Sequence, residues 1–417
     1  MDSKFIYYFS RLKEQLWIRP VLFCLFSLAI VYLAHFADDN IPKRFLLEVN
    51  IDSLKELLTT MSSSMLVIAI FAMGSMVTAY SAASNTATPR SFSLIVADDV
   101  SQNALSVFIG SFIYSVVATL ALQNNYYQEG GQLTLLIATL LMFALVIITF
   151  LRWVERIARL GRLNSTVDNI EKATAKAIIN YRENPLQGCK PLTESFVNGL
   201  AIESNDIGYV HLVNTEELQD IAEALDTIIH IDCNHGSFMV PGKLMVTLEK
   251  EPKKGWDDKM KARLQKAITV GQSRVFEGDP RFGLIALSEV ASRALSPGIN
   301  DPGTAITILG SHVRMFAQWH STQQENKNQE PPYDRVFMPY LDPADLFEDA
   351  FRPIARDGAG NIEVMIRLQK ALRAIGSMGN ESFSEAVKKQ RKDAFARAKI
   401  AMKYEGDIDL LREYLDE

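Results

Sequence analysis

The sequence predicts an α-helical membrane protein: four transmembrane helices followed by a cytosolic α+β domain, itself a small β module plus a helical bundle. Two observations carry this reading. The mean hydropathy of the 417 residues is near neutral, +0.04, yet the long apolar runs all fall before Trp153 and the remainder has the mixed pattern of soluble protein. Four of those runs also reach the roughly 20 residues needed to cross about 30 Å of hydrocarbon.

Composition narrows the class further. With 48% hydrophobic residues the chain can bury a large core, which excludes a disordered chain. A net charge of −6 without an extended basic segment argues against nucleic acid as a partner. Cys24, Cys189 and Cys233 lie far apart with no CxxC pair, so they form no disulfide framework and suit a reducing compartment.

The first span covers about Pro20 to Phe36, and Trp17 and Ile18 can extend it. The second covers about Ser63 to Ala83, the third Ala104 to Leu122, and the fourth Leu133 to Trp153. A cleaved signal peptide is the alternative for the first. It lacks a small-x-small cleavage site and is followed at once by Asp38, Asp39 and Asn40, which favours a retained helix. Lys4, Arg11, Lys13, Arg19, Arg90, Arg152, Arg156, Arg159 and Arg162 flank one side of the membrane. Only Lys43, Arg44 and Lys55 flank the other, so the positive-inside bias puts both termini in the cytoplasm.

The second and third spans carry small and polar residues at helical spacing: Gly74, Ser75, Thr78, Ser81 and Asn85 on one, Ser111 and Ser115 on the other. Helix packing through small residues is one reading. A polar lining for a pathway in an oligomer is the other. Apart from Arg152 at the very end of the fourth, no Asp, Glu, Lys or Arg sits inside a span, which argues against proton coupling or voltage sensing. Between these spans, Thr88-Pro89-Arg90 starts a turn and SFSLIVADD reads as a short amphipathic helix or hairpin tip. Arg90, Asp98 and Asp99 are candidates for a cytosolic mouth that attracts cations, against the plainer reading of a solvated loop.

The chain divides into residues 1–153, the membrane domain; 154–190, a helical stalk and linker; 191–252, a small α/β module; and 253–417, a helical domain. In the module, GYVHLV (208–213) reads as a strand, and Asn214 caps a helix over NTEELQDIAEAL. TIIHIDC alternates as a second strand, and HGSFMVPGKLMVTLE reads as a hairpin with turns at Gly236 and Pro241-Gly242. His230, Cys233 and His235 invite a metal, but strand alternation separates them and no fourth ligand stands nearby, so none is assigned. WDDKMKARLQKAITVGQSR reads as one helix. Asp279-Pro280 and Asp301-Pro302 each start a helix, with Asp as cap and Pro in the first turn. Residues 321–332 read as a polar loop, and amphipathic helices follow at about 343–356, 360–378, 382–403 and 406–416.

SPGINDP is the most distinctive string. Ser296, Pro297, Gly298, Asn300 and Asp301 could present free N–H groups or carboxylates to a ligand, or could simply turn the chain between helices while satisfying their own backbone. There is no P-loop, GxGxxG, GxSxG or HExxH pattern, so neither cofactor nor catalytic residue is expected.

TPRSF (88–92), FIGSFIYS (108–115), GSFMVPGKL (236–244), EGDPRFGL (277–284) and above all RALSPGINDPGTA (293–305) carry a family likeness through nearly the whole chain. The sequence resembles the bacterial predicted-membrane-protein family designated domain of unknown function 2254. The resemblance implies an inner-membrane protein with a soluble domain, and no established activity. The resulting expectation is an oligomeric ion channel or transporter whose cytosolic domain assembles and gates it. A membrane-anchored scaffold or sensor that recruits cytosolic partners is the alternative. The implied partners are the lipid bilayer, further copies of the chain and ions.

Overall fold

The computed structural model describes residues 15, 17–40, 49–86, 88–91, 94, 98–159, 162–192, 199–252, 255–322, 330–378 and 381–416. It separates into two compact units, one ending at Thr166 and one beginning at Val167.

Among the described residues the first unit contains four helices long and apolar enough to cross a membrane: α1 (Ile18–Asn40), α2 (Ile51–Thr86), α3 (Asp99–Gln123) and α4 (Glu129–Arg159). Helix α2 starts well ahead of the expected Ser63 because Leu54, Leu58 and Met61 continue its buried stripe. Its 36 residues span about 54 Å at about 1.5 Å per residue, more than the hydrocarbon needs. Helix α3 likewise starts earlier than Ala104, with the Asp98 carboxylate accepting from Ser101 N at 3.0 Å as the N-cap.

Helix α3 is the centre of this unit and packs against α1, α2 and α4. Small residues make that possible. Gly110 takes the Phe23 ring so closely that an added Cβ would stand 2.0 Å from the ring edge. Two apolar cores result. One joins Val31, Leu58, Tyr114, Ala118 and Leu135, and the other joins Met65, Ala72, Phe108, Val146 and Trp153. At one end, α1 and α4 are clamped together. Asp38 accepts from the backbone N–H groups of Gln128 and Gly131, and Tyr127 donates to Val31 O at 2.7 Å.

The division between units falls within α5 (Leu163–Glu183). Over the stretch 154–190, read from the sequence as a helical stalk and linker, the described helices are the end of α4, to Arg159, and α5, from Leu163.

Among the described residues the second unit holds two sheets. Strands β1 (Cys189–Pro191), β2 (Leu200–Glu203), β4 (Ile229–Ile231), β6 (Leu244–Leu248) and β8 (Tyr333–Met338) form the larger, in the order β1-β8-β4-β6-β2. Strands β3 (Gly208–Val213), β5 (Phe238–Met239) and β7 (Ile268–Gly271) form the smaller, in the order β5-β3-β7. Helix α6 (Thr215–Ala224) lies between β3 and β4 in sequence and is capped by Asn214, as the sequence predicts. The expected hairpin over 235–249 is overturned: β5 pairs with β3 and β6 with β4, so the Pro241-Gly242 turn carries the chain from one sheet to the other. The expected single helix over 256–274 is also corrected. Helix α7 (Asp258–Lys266) stops at Ala267, and the β-branched run Ile268-Thr269-Val270 becomes β7. Strand β8, absent from the sequence reading, pairs parallel with both β1 and β4.

The helical part comprises α8 (Pro280–Ala294), α9 (Pro302–Ser321), α10 (Pro343–Asp357), α11 (Ile362–Gly376), α12 (Glu381–Ala401) and α13 (Glu405–Asp416). Asp279, Asp301 and Asp342 each cap a helix that opens with proline. Phe316, Phe347, Phe351 and Phe383 interlock at the centre, with ring centroids 4.5 to 5.7 Å apart.

Candidate functional site

The residues proposed for a pathway fall into two sets that face opposite ways. On α2, Gly74, Thr78 and Ser81 are exposed and Ser75 is half-buried. A Cβ added at Gly74 would meet nothing within 4 Å, and the Thr78 hydroxyl donates back to Gly74 O at 3.0 Å. Asn85 continues the helix, and its side chain lies outside the described residues. On α3, Ser111 and Ser115 are buried, and Ser115 donates to Ser111 O at 2.8 Å. The interior nearby is closed by the Tyr114 hydroxyl, 2.9 Å from Thr139 Oγ1. Gly74, Thr78 and Ser81 therefore lie on the outside of the four-helix unit, among the exposed apolar side chains Val67, Ile70, Phe71 and Val77, and the serines of α3 belong to its packing.

The residues of the proposed mouth are also tied down differently from one another. Asp98 is buried and receives the Arg156 guanidinium at 2.6 to 2.7 Å besides capping α3. Asp99 is exposed and pairs with Arg19. Arg90 sits exposed in a short 3₁₀ turn, Pro89–Ser91, whose Ser91 hydroxyl donates to Thr88 O at 2.7 Å. Most of SFSLIVADD lies outside the described residues.

In the second unit, His230, Cys233 and His235 serve three different neighbours. His230 stacks on Phe337 at 5.2 Å. Cys233 is buried, and burial pushes its thiol up to about 12. No group of three His, Cys, Asp or Glu that could hold a metal occurs among the described residues.

The 296–301 turn is exposed from Pro297 to Asn300 and braced within itself. Ser296 Oγ donates to Arg293 O at 2.7 Å, and the N–H groups of Ile299 and Asn300 both reach Ser296 O. Asn300 adopts a left-handed φ of 51°, which its short polar side chain tolerates. Asp301 spends its carboxylate on the N–H and hydroxyl of Thr304, and these hydrogen bonds hold it below the usual carboxylate range.

Sequence reasoning missed a buried polar junction between the smaller sheet and α8. Arg274 grips Asp279 with Nε and Nη2, each at 2.8 Å, and lies 5.6 Å over the Phe282 ring. The turn at Gly236, φ 77°, lies on this pair, where a Cβ would come within 2.1 Å of Asp279 Oδ2. His235 donates from Nδ1 to His211 O at 3.1 Å, and its Nε2, 2.7 Å from the Gln187 amide nitrogen, accepts. Burial in this arrangement depresses His235 to about 4. Arg281 then joins α8 to α10 by pairing with Asp345 and with Asp349, the latter at 2.6 Å. The available signal was the pair of glycines, Gly236 and Gly278, each beside a charged or imidazole side chain.

One buried pair has the composition of a nucleophile and base but the wrong polarity. Ser288 Oγ donates to Ala350 O at 2.7 Å, so the His312 Nε2–H, 3.1 Å away, must donate to it. Both side chains are fully buried. In this arrangement the imidazole donates to the hydroxyl instead of accepting its proton.

Comparison with known proteins follows this architecture. An uncharacterised protein of Mycobacterium bovis and another of Mycobacterium tuberculosis each match at 26% identity over 113 residues, 24% of this chain. The match spans 20% of the length of each of those relatives. No solved structure matches. The model of the family described as "Predicted membrane protein (DUF2254)" matches residues 13–374, which takes in all four membrane helices and the second unit as far as α11. The chain belongs to that family.

Proposed function

We propose that this protein assembles into a homo-oligomer in the bacterial inner membrane, both termini cytoplasmic, and conducts ions between its copies. The observation that carries the reading is the outward direction of Gly74, Thr78 and Ser81 on α2. Small residues at Gly74 and Ser81 let a second helix approach this side closely, and the exposed Thr78 and Ser81 hydroxyls can then bond across the contact or to water. The interior of the single four-helix unit is filled by its two apolar cores, so a pathway lies between copies. The lysine and arginine asymmetry of the loops supports the orientation. The soluble unit assembles and gates the complex, and no catalytic residue is assigned.

Reconstitution tests it. Liposomes carrying the full chain pass monovalent ions, and Thr78→Leu with Ser81→Leu abolishes the flux. Absence of flux from the native protein, or a single-chain mass in lipid, overturns it. A second reading, a membrane-anchored scaffold, is favoured by Ile400 and Tyr404, which stand 88% and 70% exposed at the end of α12 and just beyond it. Under that reading the flux is absent and Ile400→Asp releases a cytosolic partner.

A further inference from the structure

Helices α1 and α4 touch at the Asp38–Gly131 end, where a Cβ on Gly131 would come within 3.0 Å of Ala34 O. Toward the other end they leave a cleft over α3 of about 550 Å³. Its walls are apolar, with Leu22 and Phe26 from α1 and Leu145 from α4, and its floor is Phe23 seated on Gly110. Its rim is cationic, with Arg19 from α1 and Arg152 from α4. Phe26 lies seven residues beyond Arg19, and Leu145 seven before Arg152. The cleft thus descends about 10 Å from a charged rim into the hydrocarbon zone, at about 1.5 Å per residue.

We propose that this cleft binds one phospholipid with an anionic headgroup, the phosphodiester between Arg19 and Arg152 and an acyl chain along Leu22, Phe26 and Leu145. The charge balance selects the headgroup. Arg19 is paired with Asp99 and donates to Asn103 Oδ1 at 2.9 Å, which leaves three of its five N–H donors. Arg152 has no hydrogen-bond or ion-pair partner among the described residues. Two guanidiniums against one carboxylate leave a single positive charge at the rim. A phosphodiester cancels it, and a headgroup with its own ammonium does not. Guanidinium geometry suits phosphate, and a charge at the membrane interface needs such a partner. This inference stands whether or not the chain forms a pore.

The test uses the full chain in neutral detergent with equal amounts of phosphatidylglycerol and phosphatidylcholine of identical acyl chains. Co-purified lipid is counted by mass spectrometry. Native protein retains phosphatidylglycerol about tenfold over phosphatidylcholine, the worth of one charge-assisted hydrogen bond. Arg152→Gln removes that preference, Arg152→Lys keeps part of it, and Leu145→Trp, which fills the cleft, loses both lipids with the arginines intact. Should Arg152→Gln fold poorly, the lysine and tryptophan variants decide. Equal retention of the two lipids, or unchanged retention in Leu145→Trp, overturns the proposal. So does displacement of the lipid by excess inorganic phosphate, or crosslinking that places a second copy in the cleft.

Discussion

Arg274 and Asp279 form a bidentate pair with the carboxylate only 3% exposed, and the turn at Gly236 closes over it. Burial raises the Asp279 acid above the usual carboxylate range, and Arg274, with the Phe282 N–H, pulls it only part of the way back. Removing one partner strands the other in a low-dielectric site. Asp279→Asn therefore destabilises the protein by about 3 to 5 kcal/mol. Arg274→Met combined with Asp279→Leu costs less than the sum of the single changes. Thermal unfolding of the four proteins in detergent gives the cycle.

Two turn glycines, Gly236 and Gly298, part company in the fold. Gly236→Ala meets both a left-handed φ of 77° and the Asp279 carboxylate, and costs about 1 to 3 kcal/mol. Gly298→Ala, in the more distinctive SPGINDP string, meets nothing within 4 Å and changes stability by less than about 0.5 kcal/mol. Melting temperatures that move equally refute the distinction.

Acid acts on the buried imidazoles. His235 and His312 are depressed to about 4 and about 3 by burial. Above pH 6.5 the folded and unfolded forms are both neutral and the stability is intact. As pH falls from about 6.5 toward about 4, the unfolded imidazole takes a proton the folded one refuses, and each histidine costs up to about 3 kcal/mol. Melting temperature between pH 7.5 and 4.5 falls, and His235→Gln flattens the slope. A slope unchanged by that variant places the sensitivity elsewhere.

In the membrane unit, Gly110→Ala drives a methyl into the Phe23 ring and costs about 1 to 3 kcal/mol as overpacking. Phe23→Leu in the same chain recovers most of the loss. Failure of that rescue breaks the claim that Gly110 exists to seat Phe23.

What the sequence by itself determined was everything governed by local chemistry. Apolar runs long enough for a bilayer specified four membrane helices, because length and hydropathy are properties of the run alone. Asp-Pro starts and the Asn214 cap set helix ends from side chains three residues apart. Only the tertiary structure decided which way a polar residue faces and which strand pairs with which. Thr78 points out and Ser115 points in, although both sit at similar spacing in apolar helices, because burial depends on the neighbouring helix. Strands β5 and β6 look like one hairpin but join different sheets, β5 beside β3 and β6 between β4 and β2, pairings that depend on strands distant in sequence. Arg274 and Asp279 are near neighbours in sequence, yet their significance comes from Gly236, which lies some forty residues away and reaches them only through the fold.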